Sequence, residues 1–259
     1  MCYVASDLDA RSRLQDWILK LGIRSLLTFM SAPSVESFIG LLKKSPSFAV
    51  FNPWWQVDTE NDIGRNAAVI RRDQLRAYFR ERLGKARLAL VAEALGYRGG
   101  HFSGIPMTSE RILLGKKKDD GIMPAQVFSS ITPRRTSKSR KCSDGFSEPT
   151  ATIVWTTLLQ LGLSPKQFVL WNAFPWHSFD SRRGVLSNRT PTRKERAAGL
   201  SVLKAFLDLF PCDQIVALGN VAASQFEELH ANVYRIRHPA SGGARLFRQQ
   251  IVKIVSKFT

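Results

Sequence analysis

Four apolar runs stand out along the chain: RLALVAE (87–93), QFVLWN (167–172), QIVALG (214–219) and NVYRIR (232–237). Each is short and bounded by polar or glycine-containing sequence, the pattern of a strand buried on both faces. Between and after them the apolar spacing changes to a helical period. A short helix is expected near 108–115, with Thr108 or Ser109 as its N-cap. ATIVWTTLLQLG, capped by Thr150 or Thr152, stops at Gly162. Thr192 and Glu195 have the spacing of a capping box that opens a helix to about Phe210. Further helices begin near Asn220 and within ARLFRQQIVKIVSKF.

The N-terminal third reads differently. Leu14, Trp17, Ile18 and Leu21 mark an amphipathic helix over 8–21, ended by Gly22. VESFIGLLKK follows Ser34 as a second short helix. Phe48–Phe51 reads as a short extended piece, and Asn52–Asp62 as an ordered loop in which Trp54 and Trp55 plug the core. Residues 64–84 form a helix with Leu75, Phe79 and Leu83 on one stripe. Its opposite face gathers Arg71, Arg72, Arg76, Arg80 and Arg82, a solvated or DNA-facing surface. Residues 116–148 are polar and basic, an irregular and partly mobile surface insertion.

Strands alternating with helices predict an α/β fold: a three-layer α/β/α sandwich around a central four-stranded parallel sheet. Right-handed crossovers bring all four strand C-termini to one edge. That edge collects Glu93 to Gly104, Asn172 to His177, Gly219, and His238 to Gly243. The chain is read as one domain over 1–259, with 1–60 as a helical N-terminal part packed on the same core.

Charge narrows the partner. Lys and Arg number 38 against 21 acids, a formal +17, which favours a polyanion and salt-sensitive binding. No apolar run reaches membrane-spanning length, and MCYVASDLDARSRLQDW lacks a secretory pattern, so a cytoplasmic, non-membrane protein is expected. Cys2, Cys142 and Cys212 form no metal or cluster spacing. Nucleotide-loop, zinc-protease, nucleophile-elbow, calcium-loop and zinc-deaminase signatures are all missing. A metal-free site without a cofactor is the expectation.

The converging residues suit recognition of a flat polar ring. The amide of Asn172 offers a donor and an acceptor to a base edge. His238, before a Pro-Ala-Ser-Gly-Gly turn, can donate to a carbonyl oxygen that gains charge. Ser241, Gly242 and Gly243 can present N–H groups to a phosphate. Glu93 can position water or balance a developing cation. Phe102 can stack on a ring. His101 and His177 are weaker candidates, and His230 reads as a surface residue.

AEALG (92–96), VLWNAFPWH around Asn172, and RHPASGG (237–243) together resemble the motifs of the uracil-DNA glycosylase superfamily, in that family's order. Ala92 and Leu95 stand where the family's first motif has Gly and Pro. The resemblance implies hydrolysis of the N-glycosidic bond of uracil in DNA by base flipping, leaving an abasic site, with His238 and Glu93 catalytic. It implies that Phe102, Asn172 and Tyr97 bind uracil, that Ser241, Gly242 and Gly243 hold a phosphate, and that Arg245 or Leu246 wedges into the DNA stack. The partner is then single- or double-stranded uracil-containing DNA, met by a monomer in the cytoplasm (at the nucleoid, in a bacterium). Two alternatives fit the same motifs: a binder of uracil or abasic DNA that does not turn over, and a glycosylase for another deaminated base.

Overall fold

The computed structural model describes residues 33–257, so the predicted helix over 8–21 lies outside the described residues. The chain divides into two units at Ser34, and the account below concerns the second, Val35–Thr259. Helix α1 (Val35–Leu41) and strand β1 (Val50–Phe51) precede α2 (Ala67–Arg80). Strand β2 (Leu88–Ala94) then leads through three one-turn helices, α3 (Gly100–Ser103), α4 (Glu110–Leu113) and α5 (Pro124–Val127), into α6 (Pro149–Gln160). Next come β3 (Phe168–Phe174), β4 (His177–Ser178), α7 (Arg193–Leu209), β5 (Gln214–Leu218), α8 (Asn220–Glu228), β6 (Tyr234–Ile236) and α9 (Ala244–Val255).

The four long-range strands form a parallel sheet in the order β3-β2-β5-β6. Leu88–Val91 of β2 lies beside Phe168–Trp171 on one side and Gln214–Ala217 on the other. All are apolar but Gln214, because a central strand meets a helix layer on both faces. Alternation sends Phe168 and Trp171 to opposite faces. Trp171 stacks on Phe206 of α7 at 5.4 Å, and Phe168 meets Trp155 of α6 edge-on at 5.0 Å. Helices therefore cover both faces, as the three-layer expectation requires. From the adjacent pair β2 and β5 the chain steps outward in opposite directions, to β3 and to β6. Loops leaving two neighbouring strand ends in opposite directions open a crevice between them.

The helix-start chemistry is partly as expected. Thr192 Oγ1 accepts from the Glu195 N–H, and the Glu195 carboxylate accepts from the Thr192 N–H. At α6 the expected threonine cap is absent: Glu148 is the N-cap residue and Pro149 takes the first helical position, where its missing N–H costs nothing. Ser109 precedes α4 in extended geometry but makes no side-chain cap.

Two expectations about the basic segments are overturned. Arg71 and Arg82 do not belong to a solvated face; both are fully buried. Arg71 forms a two-point ion pair with Asp62 (2.7 and 2.9 Å). Arg82 spends all five guanidinium donors on the carbonyls of Phe168, Tyr78, Val127, Gln126 and Pro165. Removing either charge's partners would strand it inside the protein, which is why such sites are closed on every side. Arg76 and Arg80 converge on Glu36 of α1.

Nor is 116–148 a loose insertion. The buried carboxylate of Glu110 accepts from the Thr136 and Ser137 N–H groups (2.7 and 2.9 Å) and from the Ser137 hydroxyl. Glu81 accepts from the Ser129 and Ser130 N–H groups at 2.7 Å, which holds its own pKa down at about 2 against the cost of burial. Ser137 also bridges Asp62 in antiparallel register, and Ile122, Val127 and Phe128 are in the core.

Candidate active site

At the end of β2 the chain turns through Gly96, Gly99 and Gly100 into α3 and leaves it at Gly104. Gly104 has φ +75°, and a Cβ there would stand 2.6 Å from the Arg71 carbonyl oxygen, so only glycine fits. Its own carbonyl accepts from the Trp54 indole N–H at 2.9 Å. Trp54 is thus the core plug expected of it, while Trp55 is 38% exposed beneath Arg72.

Asn172 is 2% exposed, and its Oδ1 has no hydrogen-bond partner. Native proteins satisfy nearly all buried polar atoms, and an orphan costs about 1–3 kcal/mol. An acceptor left open near the end of a fully buried edge strand is a place for a ligand's donor. In register Asn172 stands beside Ala92 and so shares its face; Glu93, one residue on, faces the other way. There it meets Thr190, which hydrogen-bonds it, and the charge of Arg196. Desolvation outweighs both and raises its pKa.

His238 follows β6 and leans over the end of β5: a Cβ on Gly219 would lie 3.2 Å from the His238 Cβ. β3 and β5 flank β2, so their ends stand about 10 Å apart. A nucleobase with a hydrogen bond at each side fits that span. His238 Nδ1 accepts from the Ala240 N–H at 3.1 Å, so in the neutral ring the proton sits on Nε2. Burial, then the neighbouring Arg237, lower its pKa and favour that neutral donor form. The turn itself is tight. Ser241 and Gly242 both have positive φ, and a Cβ on Gly243 would fall 2.0 Å from the His238 carbonyl oxygen. Ser241 and Gly242 are exposed, and α9 opens beside them with Arg245 and Leu246 exposed in its first turn.

Phe102 departs from expectation. Its ring is fully buried, stacked on Phe146 at 4.2 Å and tilted against His101 at 4.4 Å. A residue of the basic insertion occupies the face expected for a base. Tyr97 is partly exposed; its N–H donates to Asn188 Oδ1 and its hydroxyl accepts from Arg98.

Two features went unread in the sequence. The first is a buried relay. His177 Nε2 lies 2.7 Å from the Ser187 carbonyl oxygen and must donate to it. In a neutral ring its Nδ1 then accepts from His101 Nδ1, 3.0 Å away. That leaves His101 Nε2 bare, 3.4 Å from Asp58 Oδ2, a contact that a further proton would turn into an ion pair. Desolvation first, then the His101 charge, drives His177 down to about 3. Desolvation likewise lowers His101, although Asp58 opposes it. Phe51 stacks on His101 at 4.2 Å. The relay ties together the loop of Asp58, the glycine-rich loop and the segment after β4.

The second is Glu148, at the N-terminus of the helix that covers the Asn172 face. Its carboxyl lies against Gly96 and Gly99, with Oε2 buried and unpartnered, and desolvation lifts its pKa to about 7. Among the described residues no group of three or more His, Cys, Asp or Glu is placed to hold a metal ion, and no helix is long and apolar enough to cross a membrane.

Comparison with known proteins follows the same lines. A family model described as "Uracil DNA glycosylase superfamily" matches residues 85–256. The crystal structure of wild-type Pedobacter heparinus SMUG2 is similar with a TM-score of 0.54 at 12% identity, covering 86% of this chain and 97% of that one. No curated protein matches.

Proposed function

Because the chain belongs to the uracil DNA glycosylase superfamily, a family of DNA glycosylases, we propose that it hydrolyses the N-glycosidic bond of uracil in DNA and leaves an abasic site. The observation that carries the reading is the open Oδ1 of buried Asn172 on β3, with His238 over the end of β5 about two strand spacings away. Uracil offers that atom its N3–H and takes the amide N–H on O4. Cytosine presents the reverse pattern at both atoms. The base reaches the crevice by flipping, which costs a few kcal/mol and least in a mismatch or a single strand.

The bond from N1 to the sugar then breaks with its electron pair leaving on uracil. His238 Nε2–H donates to O2, where that charge collects; being neutral, the ring does so without a net charge to desolvate. Water attacks the sugar carbon, and Glu93 takes its proton or balances the sugar cation. The raised pKa of Glu93 suits proton acceptance. Tyr97 walls the side of the ring where thymine carries its methyl. Ser241, Gly242 and Gly243 seat the phosphate, and Leu246 or Arg245 fills the gap left in the stack.

The test is a uracil-containing oligonucleotide incubated with the protein in EDTA and then treated with alkali. Cleavage at the uracil is expected. Its absence on both single- and double-stranded substrates defeats the uracil reading, and full activity in His238→Ala defeats the site.

A further inference from the structure

A second recess lies beside β1 and the start of α7. It encloses about 880 Å³ and is lined by Lys44, Phe48, Arg182, Thr190, Thr192 and Lys194, among others. That volume is within the range of ligand-binding clefts. Phe48 is 78% exposed, more than any other large apolar side chain among the described residues. A bare phenyl ring on a loop has no role in packing.

The charges around it are arranged for an anion. Arg182 has a side chain 89% exposed and a loose contact of 3.6 Å with Asp180. Lys44 and Lys194 are exposed as well. Of the two acids in the lining, Glu195 is consumed by Arg189 through two bonds of 2.6 and 2.7 Å. The first turn of α7 carries Arg193 and Lys194 at the positive end of the macrodipole of a 17-residue helix. Thr192 and Glu195 already cap that helix end, so what an arriving anion meets there is the pair of side-chain cations.

Position supplies the last element. Thr190 in the lining also hydrogen-bonds Glu93, so the recess shares a wall with the candidate active site. An exposed ring beside a basic, helix-capped recess is the arrangement by which single strands are held: bases stack and phosphates follow the charge. A paired base has no free face to give Phe48.

We propose that this recess holds an unpaired nucleotide of a DNA strand, its base on Phe48 and its phosphate between Lys44, Lys194 and the start of α7. This extends the glycosylase reading by assigning the strand state: the chain favours single-stranded DNA. The probe is a fluorescently labelled, uracil-free single strand, with its blunt duplex as the comparison, read by anisotropy. Phe48→Ala is expected to weaken single-strand binding about 5- to 100-fold and leave duplex binding unchanged. Lys44→Glu with Lys194→Glu is expected to weaken it and flatten its salt dependence. Both changes are on the surface, and an unchanged melting temperature verifies the fold. No loss in Phe48→Ala, or an equal loss for single strand and duplex, overturns the proposal. So does displacement of the strand by inorganic phosphate or polyglutamate at matched charge, which would mark a general anion site. Because the probe lacks uracil, a chain that releases no uracil and still shows the Phe48 effect keeps this inference while losing the other.

Discussion

His238 and the His101–His177 pair solve opposite problems. His238 stands on a glycine turn with Nδ1 engaged by the Ala240 N–H and the neutral ring's proton on Nε2. In the pair, one nitrogen faces a carbonyl, two face each other, and the fourth faces a carboxylate. Asn172, with one open acceptor, belongs with His238. The pair is engaged at three of its four nitrogens and holds the frame, with only His101 Nε2 bare beside Asp58; His238 Nε2–H and Asn172 Oδ1 are the groups left for a ligand.

The sharpest way to break this contrast is to delete each histidine. His238→Ala is expected to cut the rate of uracil release about 10²–10³-fold with no change in melting, the usual effect of losing a donor to a developing anion. His101→Ala should instead destabilise the fold by about 2–4 kcal/mol in denaturant titration, since it opens a cavity and orphans its partners. An unmoved melting curve in His101→Ala, or a large drop in His238→Ala, would erase the distinction.

Asn172→Leu tests the incomplete group from the other side. Replacing an unsatisfied amide by a similar apolar shape is expected to raise stability by about 1 kcal/mol while abolishing uracil release. A variant less stable than wild type would mean that Oδ1 is not an orphan.

The pH dependence of unfolding separates two further buried groups by sign. His177 has a folded pKa far below its ordinary value, so the unfolded state takes up a proton first as pH falls. Stability is therefore lost on going below about pH 6.5, and His177→Asn should flatten that limb. Glu148 is shifted the other way, from 4.5 to about 7, so the unfolded state releases its proton first. Its cost grows as pH rises between those values, by at most about 1.4 kcal/mol per unit. Glu148→Gln should recover stability at pH 8 and change nothing at pH 4, in melting curves at the two values. The smallest effect expected is a few-fold loss of duplex activity in Leu246→Ala, with single-strand activity kept, since a wedge matters only where a stack must be filled.

Much of this was legible in the sequence because the signals were local. Four apolar runs gave four strands, and Thr192 with Glu195 gave a helix start. Asn172 and His238 could be singled out because each lies at or just past the end of such a run. What was missed depends on partners far along the chain. Arg71 and Arg82 look like members of a basic face until Asp62 and five carbonyls close around them. Asp58, His101 and His177 meet across more than a hundred residues. Phe102 was read as an open platform because nothing near it in sequence announces that Phe146, 44 positions later, covers it. The insertion looked mobile by composition, yet Glu81 and Glu110, both outside it, fasten its backbone.

The buried and paired arginines in and just after α2 change how the formal charge is to be counted. Each phosphate neutralised at a protein surface should contribute about −0.9 to the slope of log affinity against log salt for duplex DNA. Arg82 is spent on carbonyls, Arg71 on Asp62, and Arg76 and Arg80 share Glu36. Two of the 38 basic residues, Arg71 and Arg82, are thus withdrawn from the counterion balance before any DNA arrives, and Glu36 offsets part of the charge of Arg76 and Arg80. The ions released on binding should come more from loop and turn cations, such as those around Phe48 and at the start of α9, than the arginine count around α2 suggests.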